Sequence, residues 1–319
     1  MKRNLSIFIG MASLCMTLIA GGVGATDLVP FETVFGTDYT SAGYGGMRGL
    51  GTGTISLAGV SGPVDSALLY WHGPSNDTAL SANQNVTFNG TNITGTPLGI
   101  SDDNCWGYTC SQAYRANVTS LVLGNGIYSL SNFYKPGPPI VDINGVSLMA
   151  FFQDGDTNNN RDIVIFNGND SNIDNAYDAP GWNITLSGIN YTSGNAFLEM
   201  HVGDGQTFTD NALILNGLTL VPTGPIFQGA SVPGGLGGPS NGFLWDIIRF
   251  DITSFLSPGL NNLNLTTGVT SDCLSGVVAV IDLPAGAAPP TGVPEPSTLL
   301  LLGSGLIGLG YFVRKRIKK

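Results

Sequence analysis

Five oxygen-bearing side chains alternate along one short segment of the chain. They are Asp154, Asp156, Asn158, Asn160 and Asp162. Carboxylate and amide oxygens are the ligands that calcium takes, so this spacing between two apolar runs predicts a calcium site. The segment differs from an EF-hand loop, because it lacks that loop's conserved glycine and its final bidentate glutamate, and no helices flank it. The alternative is a solvated hairpin turn built by Asp, Asn and Gly.

The other groups that could do catalysis have no spacing that brings them together. His72 and His201 occupy the same position in two similar segments, which favours a packing or hydrogen-bonding role. Carboxylates such as Glu32 and Glu199 could cleave glycosides, but no spacing selects a pair. The sequence therefore predicts no catalytic residues and a protein that is not an enzyme.

The cysteines and tryptophans make two further predictions. Cys105 and Cys110 bracket a short loop, and in an oxidising compartment we expect them to form a disulfide. Cys273 is then left as a half-buried apolar residue. Trp106, inside the short loop, is expected to be exposed, where it could stack on a sugar ring.

The apolar segments that must position these groups are short and β-rich. Runs of Val, Ile, Leu, Phe, Thr and Tyr are separated by Gly, Pro, Asn and Asp, and almost no helical stripe occurs. The chain holds 46 glycines and 18 prolines, which suit the many turns of a sandwich or jelly roll. The predicted fold class is all-β.

Blocks of sequence recur along the chain. Ala67–His72 matches Ala196–His201, Phe88–Gly90 matches Leu215–Gly217, and two further blocks follow in the same order. This internal repeat predicts two related, jelly-roll-like β-sandwich units, with a single merged double sandwich as the alternative. The predicted division places the first unit at residues 26–180, the second at residues 181–284, and a Pro/Ala linker at residues 285–292.

Both ends of the chain have the composition of export signals. Residues 1–25 combine a basic start, an apolar stretch and small residues before Ala25, so cleavage between Ala25 and Thr26 is expected. Residues 293–319 read VPEPSTLLLLGSGLIGLGYFVRKRIKK, in which an apolar span at 298–313 precedes a basic end. Such a span predicts a transmembrane helix with its basic end in the cytoplasm.

The order of these C-terminal elements carries a family resemblance. Val293, Pro294, Glu295 and Pro296, followed by the Leu/Gly-rich span and the basic end, resemble the PEP-CTERM sorting signal of bacterial envelope proteins. The resemblance implies a substrate of exosortase, a membrane-embedded protease that cuts near the motif. It covers the tail alone, so it implies how the protein is sorted and leaves the role of the remaining chain open.

The net charge of the mature chain limits the classes of partner that it can bind. The full sequence has a net charge of −10, and removing both signals takes away seven of 12 basic residues and one of 22 acidic ones, leaving −16. Such a chain repels nucleic acid and suits cations or neutral polymers such as polysaccharide.

These features together predict an exported structural or adhesive protein of the cell envelope or extracellular matrix. Its expected partners are signal peptidase, an exosortase-type protease and extracellular polysaccharide, with transient insertion in the inner membrane. Calcium is the one cofactor suggested. The alternative is a carbohydrate-binding module or a glycoside hydrolase that acts on extracellular polysaccharide.

Overall fold

In the part of the chain that the structure describes, the apolar runs form antiparallel strands, and residues such as glycine and proline separate them. The computed structural model describes residues 27–236, 241–268 and 272–290. Seventeen strands and two single 3₁₀ turns occur in these residues, and no α-helix does. The all-β prediction is confirmed.

The first half of the chain supplies nine strands. They are β1 (Val29–Tyr44), β2 (Gly53–Leu57), β3 (Val64–Ser75), β4 (Asn85–Phe88), β5 (Thr91–Thr94), β6 (Thr96–Ser101), β7 (Cys110–Asn117), β8 (Gly126–Ser131) and β9 (Gly145–Phe152). A 3₁₀ turn at Thr119–Leu121 follows β7.

The second half supplies eight strands. They are β10 (Arg161–Ser171), β11 (Asn183–Tyr191), β12 (Phe197–Gly203), β13 (Leu213–Leu215), β14 (Leu218–Val221), β15 (Trp245–Asp251), β16 (Gly259–Thr267) and β17 (Ser275–Pro284). A 3₁₀ turn at Thr253–Phe255 follows β15.

The strands form four layers. Two outer sheets have the strand orders β2-β8-β4-β5 and β11-β16-β13-β14. A nine-stranded sheet, ordered β15-β12-β17-β10-β1-β9-β3-β7-β6, bends at β1 and so supplies two inner sheets. Residues Val29–Thr37 of β1 pair with β10, with register shifts between Pro30 and Glu32 and between Val34 and Thr37, and Asp38–Tyr44 pair with β9.

Burial patterns separate inner strands from outer ones. All eight residues of β9 are buried, because this strand has a covered face on each side. β2 instead alternates between exposed and buried positions, as expected for a strand with one face in water. Leu148 packs toward the first outer sheet, while its neighbour Met149 packs between the two inner sheets.

Three apolar clusters hold the layers together. One lies between each outer sheet and its inner sheet, and the third lies between the two inner sheets. The third cluster joins Tyr70 and Phe151 of the first half to Ile165 and Val280 of the second. Because this core and strand β1 are shared, the halves form the arrangement of a single merged double sandwich.

The two halves have the same strand order. The inner order β1-β9-β3-β7 corresponds to β10-β17-β12-β15, and the outer order β2-β8-β4-β5 corresponds to β11-β16-β13-β14. The division predicted at residue 180 differs from this pairing, since β10 precedes that residue yet pairs with β17. The sequence blocks locate repeated strands, but pairing between distant strands assigns them to sheets.

Candidate binding cavity between the two halves

The disulfide that borders the cavity joins the two halves of the chain. Cys105 is bonded to Cys273, 168 residues away, with their Cα atoms 6.2 Å apart. The predicted Cys105–Cys110 disulfide is therefore wrong. Cys110 starts strand β7, where it is fully buried and its Sγ lies 3.5 Å from the carbonyl oxygen of Ser75. Asn104 and Cys105, in the loop before β7, both have positive φ angles.

The cavity beside this disulfide has a volume of about 240 Å³. Its lining combines two aromatic side chains, a carboxyl group and two amides from both halves of the chain. The lining residues are Asn104, Cys105, Trp106, Gln206, Phe208, Asp272 and Cys273. The first three come from the loop before β7, and the others come from segments that follow β12 and precede β17.

Trp106 is held in place by a buried ion pair. Its indole N–H donates to both carboxylate oxygens of Asp204, at 2.9 and 2.8 Å, and the Arg48 guanidinium stacks 3.7 Å from the ring centroid. The side chain is nevertheless 40 % exposed, as predicted, whereas Trp71 and Trp245 are fully buried. Since Arg48 covers one face of the indole, the exposed surface belongs to the remaining face and edge.

Arg48 and Asp204 tie the loop after β1 to the end of β12. The guanidinium lies 3.0 Å from Asp204, and its Nε donates to Asn144 at 2.8 Å. Burial raises the pKa of Asp204 to about 8, although Arg48 and Trp106 oppose the rise. Both oxygens of Asp204 accept hydrogen bonds from Arg48 or Trp106, an arrangement that favours the ionised form. No pattern in the sequence indicates this pair, because the two residues are 156 positions apart in the chain.

Asp272, which lines the cavity, belongs to a pair of carboxyl groups. Its side chain is buried, and burial together with the neighbouring Asp210 raises its pKa to about 8. Asp210 in turn accepts hydrogen bonds from the backbone N–H groups of Ile226 and Phe227, at 2.8 and 2.7 Å. Because ionisation of two neighbouring carboxyls is disfavoured, Asp272 in its protonated form can donate as well as accept a hydrogen bond.

The two histidines lie at the interface between the inner sheets. His201 Nδ1 is 2.8 Å from Ser147 Oγ, and His201 Nε2 is 3.1 Å from Glu199 Oε1. The atoms resemble a Ser-His-Glu relay, but Ser147 and His201 are fully buried and Glu199 is 6 % exposed. The contacts therefore join strand β9 of one half to β12 of the other.

His72 fills the corresponding position in the first half. It is fully buried, and burial lowers its pKa to about 3. A Cβ atom placed on Gly203 would lie 2.5 Å from His72 Nδ1, so the absence of a side chain at Gly203 makes room for the imidazole. Both histidines thus pack between the inner sheets.

The five predicted calcium ligands are not all brought together. Asp154 accepts a hydrogen bond from the Asp156 N–H at 2.7 Å, and Asp156 accepts one from the Asn158 N–H at 3.0 Å, so these three share one exposed turn. Asn160 instead donates to the carbonyl oxygen of Gly36 at 2.9 Å. Asp162 is buried, and its carboxylate accepts three backbone N–H groups.

Within the described residues, no three or more His, Cys, Asp or Glu side chains cluster so as to hold a metal ion. Calcium binding by the turn stays a prediction.

The segment predicted as a Pro/Ala linker packs against the second half. Asp162 accepts hydrogen bonds from the N–H groups of Gly286 and Ala288, at 2.7 and 3.1 Å, and the Asn190 N–H donates to Ala287 at 2.9 Å. Ala287 and Ala288 are buried in the same apolar cluster as β17. An extended spacer is therefore wrong for residues 285–290, since alanine side chains are small enough to pack where longer ones would not.

Asp170 allows a test of how a buried carboxyl group with a raised pKa changes stability with pH. Burial, with the charges of Asp178 and Asp27, raises its pKa to about 8. A carboxyl raised in this way stabilises the fold below pH ~4 and loses that contribution as pH rises toward 8. Compared with Asp170→Asn, the wild-type protein should lose up to ~2.7 kcal/mol of unfolding free energy between pH 5 and 7.

Urea unfolding of both proteins at the two pH values measures this difference. Asp251→Asn is the matched control, because Asp251 is exposed. Parallel pH profiles for wild type and Asp170→Asn would contradict the prediction.

The terminal predictions fall outside the described residues. These are the signal peptide with its cleavage between Ala25 and Thr26, the motif Val293–Pro296, and the span 298–313. Among the residues that the structure does describe, no helix has the length and apolarity needed to cross a membrane.

Comparison with known proteins identifies the C-terminal tail. The family model of the PEP-CTERM protein-sorting motif matches residues 292–316, which confirms the resemblance read from the sequence. No curated protein matches the chain. The chain thus combines an all-β fold with a C-terminal tail that matches the PEP-CTERM sorting motif. That signal implies cell-envelope localisation and processing by exosortase, a membrane protease.

Proposed function

We propose that the mature protein is a non-enzymatic structural or adhesive component of the cell envelope or extracellular matrix. The observation that carries this proposal is the absence of charged residues from the strands of the outer sheets. Strands β2, β4, β5 and β8 of one outer sheet, and β11, β13, β14 and β16 of the other, contain no Asp, Glu, Lys or Arg. The strong negative charge of the mature chain is therefore confined to loops and inner sheets.

The solvent faces of the outer sheets carry paired hydroxyl and amide groups. Thr94 Oγ1 donates to Asn85 Oδ1 at 2.8 Å in the first outer sheet. Asn264 Nδ2 donates to Asn183 Oδ1 and to Thr185 Oγ1, both at 3.0 Å, in the second. Uncharged donors and acceptors in rows suit the hydroxyl groups of a neutral polymer, and they avoid the repulsion that acidic faces would create. These faces support an adhesive role.

Adding charge to an outer face tests that role. We expect Thr185→Asp to reduce retention of the mature protein on the host's extracellular matrix, because a carboxylate on this face must be desolvated on contact. Ser193→Asp, an exposed change in the turn after β11, is the matched control and should retain wild-type behaviour. The fraction of protein washed from the matrix is the measurement, and equal release of all three proteins would argue against the outer faces.

Processing at both ends is part of the same proposal. The mature chain should begin at Thr26 and lack the basic tail, after transient insertion in the inner membrane through the span 298–313. Glu295→Ala should leave an uncut form in the membrane, while Ser297→Ala beside the motif should be cut normally. Intact mass of the exported protein is the measurement. A secreted protein that still ends in Lys319 would contradict processing.

The alternative function, a carbohydrate-binding module or a glycoside hydrolase, draws support from the cavity. Exposed Trp106 and Phe208 beside polar groups favour binding of a sugar. Hydrolysis has less support, because glycosidase carboxyl groups stand ~5 Å or more apart and Asp210 is hydrogen-bonded directly to Asp272. Binding without hydrolysis is consistent with a matrix protein.

We also infer that the two halves arose by duplication of one unit. The hairpin between β4 and β5 turns at Asn89-Gly90, and that between β13 and β14 turns at Asn216-Gly217, with positive φ at all four residues. Thr119 Oγ1 accepts the Ala67 N–H at 2.9 Å, and Thr253 Oγ1 accepts the Ala196 N–H at the same distance. Matching turns and matching hydrogen bonds support common descent more strongly than strand order alone does.

A further inference from the structure

We propose that the cavity between Trp106 and Phe208 binds a single sugar ring of a neutral polysaccharide. The inference rests on the proposed matrix function, for which it names the ligand class and the contact residues. Three observations carry it: exposed aromatic surface on a fixed support, a buried amide that lacks a partner, and a size that suits one ring.

The aromatic surface is exposed and held rigidly. Trp106 is 40 % exposed and Phe208 is 51 % exposed, although both line the cavity. The two hydrogen bonds to Asp204 and the stacked Arg48 fix the orientation of the indole. The adjacent disulfide fixes the loop that carries it. A platform that is ordered before binding loses little entropy when a ligand is placed on it.

Asn104 supplies an unsatisfied hydrogen-bond donor at the same place. Its side chain is 1 % exposed and lines the cavity, and its Oδ1 accepts a hydrogen bond from Ser275 Oγ at 3.0 Å. Its Nδ2 has no hydrogen-bond partner in the structure. A buried donor without a partner costs stability, so a ligand oxygen that accepts from Nδ2 would recover that cost.

The side chains that line the cavity favour some classes of ligand over others. Asp272 and the net negative charge of the mature chain disfavour an anion. A bare cation requires several oxygen ligands, whereas two of the lining side chains are aromatic and the Asn104 Oδ1 already accepts a hydrogen bond from Ser275. A sugar ring offers an apolar C–H face for the aromatics and hydroxyl groups for the polar side chains. At about 240 Å³ the cavity is below the ~300 Å³ at which pockets for larger ligands begin.

Tryptophan fluorescence provides a selective measurement. All four tryptophans lie in described residues, and the other three are at most 2 % exposed. A ligand that covers Trp106 should therefore change the emission and reduce quenching by acrylamide. We expect saturable changes when the processed protein is titrated with neutral gluco- or manno-oligosaccharides, and much weaker ones with oligouronates of the same length.

Two variants and a control test the assignment to this cavity. Phe208→Ala should weaken binding about tenfold while keeping the fluorescent reporter, and Trp106→Ala should do the same in calorimetry. Leu123→Ala removes an apolar side chain that is 90 % exposed in the loop before β8, outside both the cavity and the outer strands, and it should leave the affinity unchanged. The absence of saturation with every neutral oligosaccharide, or wild-type affinity in Phe208→Ala, would overturn the proposal.

The outcome separates the cavity from the wider function. If cavity variants lose oligosaccharide binding while Thr185→Asp alone weakens matrix retention, the cavity binds sugar and the outer faces hold the matrix. If no oligosaccharide binds while retention still depends on Thr185, the cavity proposal fails and the matrix function stands. If Thr185→Asp does not weaken matrix retention while oligosaccharides still bind to the cavity, only the proposed adhesive role of the outer sheets fails.

Discussion

Removal of the Cys105–Cys273 disulfide should lower the free energy of unfolding by up to ~5 kcal/mol. The bond closes a loop of 168 residues, and the entropy that a cross-link removes from the unfolded chain increases with loop length. In a protein of this size a loss of ~5 kcal/mol corresponds to a fall in melting temperature of about 10 °C or more. The Cys105→Ser, Cys273→Ser double variant, followed by calorimetry, measures the effect.

Matched controls separate the bond from the side chains. The Cys110→Ala protein keeps the disulfide, so its free energy of unfolding should still fall when a reductant is added. The stability of the Cys105→Ser, Cys273→Ser protein should not change with reductant. Peptide mapping of the oxidised protein should recover Cys105 linked to Cys273. A Cys105–Cys110 peptide, or a double variant as stable as the wild type, would refute the pairing and its effect.

Loss of the Arg48 guanidinium should cost ~3–5 kcal/mol, because Arg48→Met leaves the carboxylate of Asp204 buried without its cation. Arg48 lowers the pKa of Asp204, so its removal allows burial to raise that pKa further. A carboxyl whose pKa is raised in the folded state destabilises the fold as pH rises. The loss should therefore be greater at pH 8 than at pH 5. Urea unfolding at both pH values measures it.

A double variant isolates the ion pair. Arg48→Met with Asp204→Asn should recover much of the loss, since both charges are then absent. Arg249→Met is a comparison with a smaller expected effect. The Arg249 side chain is 39 % exposed, and its partner Asp282 is also paired with Arg161. Equal losses for the Arg48 and Arg249 variants would contradict the importance of burial at Arg48.

Local pattern was sufficient for features that depend on a few neighbouring residues. The repeated blocks were readable because each is short and contiguous, and the Asn-Gly pair in each copy forms a turn with positive φ at both residues. Trp106 was expected to be exposed because it lies in a short polar loop. The tail was recognisable because its motif, apolar span and basic end are contiguous, and the family match at residues 292–316 agrees.

Contacts between residues that are distant in the chain could not be predicted from the sequence. Cys110 is the nearest cysteine to Cys105 along the chain, yet folding brings Cys273 to a Cα–Cα distance of 6.2 Å from Cys105, and the bond forms there. Asp162 was placed in a calcium loop by its spacing, but its carboxylate binds backbone N–H groups of residues 36, 286 and 288. Residues 285–290 have the composition of a spacer and nevertheless pack, because small alanine side chains fit beside β17.

By itself, the sequence determined the strand-forming segments, the acidic charge and the sorting signal, since each depends on composition or on adjacent residues. The tertiary structure decided that strand β1 is shared between two inner sheets and that the halves meet through Arg48, Asp204 and the disulfide. It also decided that Trp106, Phe208 and Asn104 border one cavity. Separate chain segments supply these groups, and folding brings them together because burial of the three apolar clusters fixes how the four layers stack.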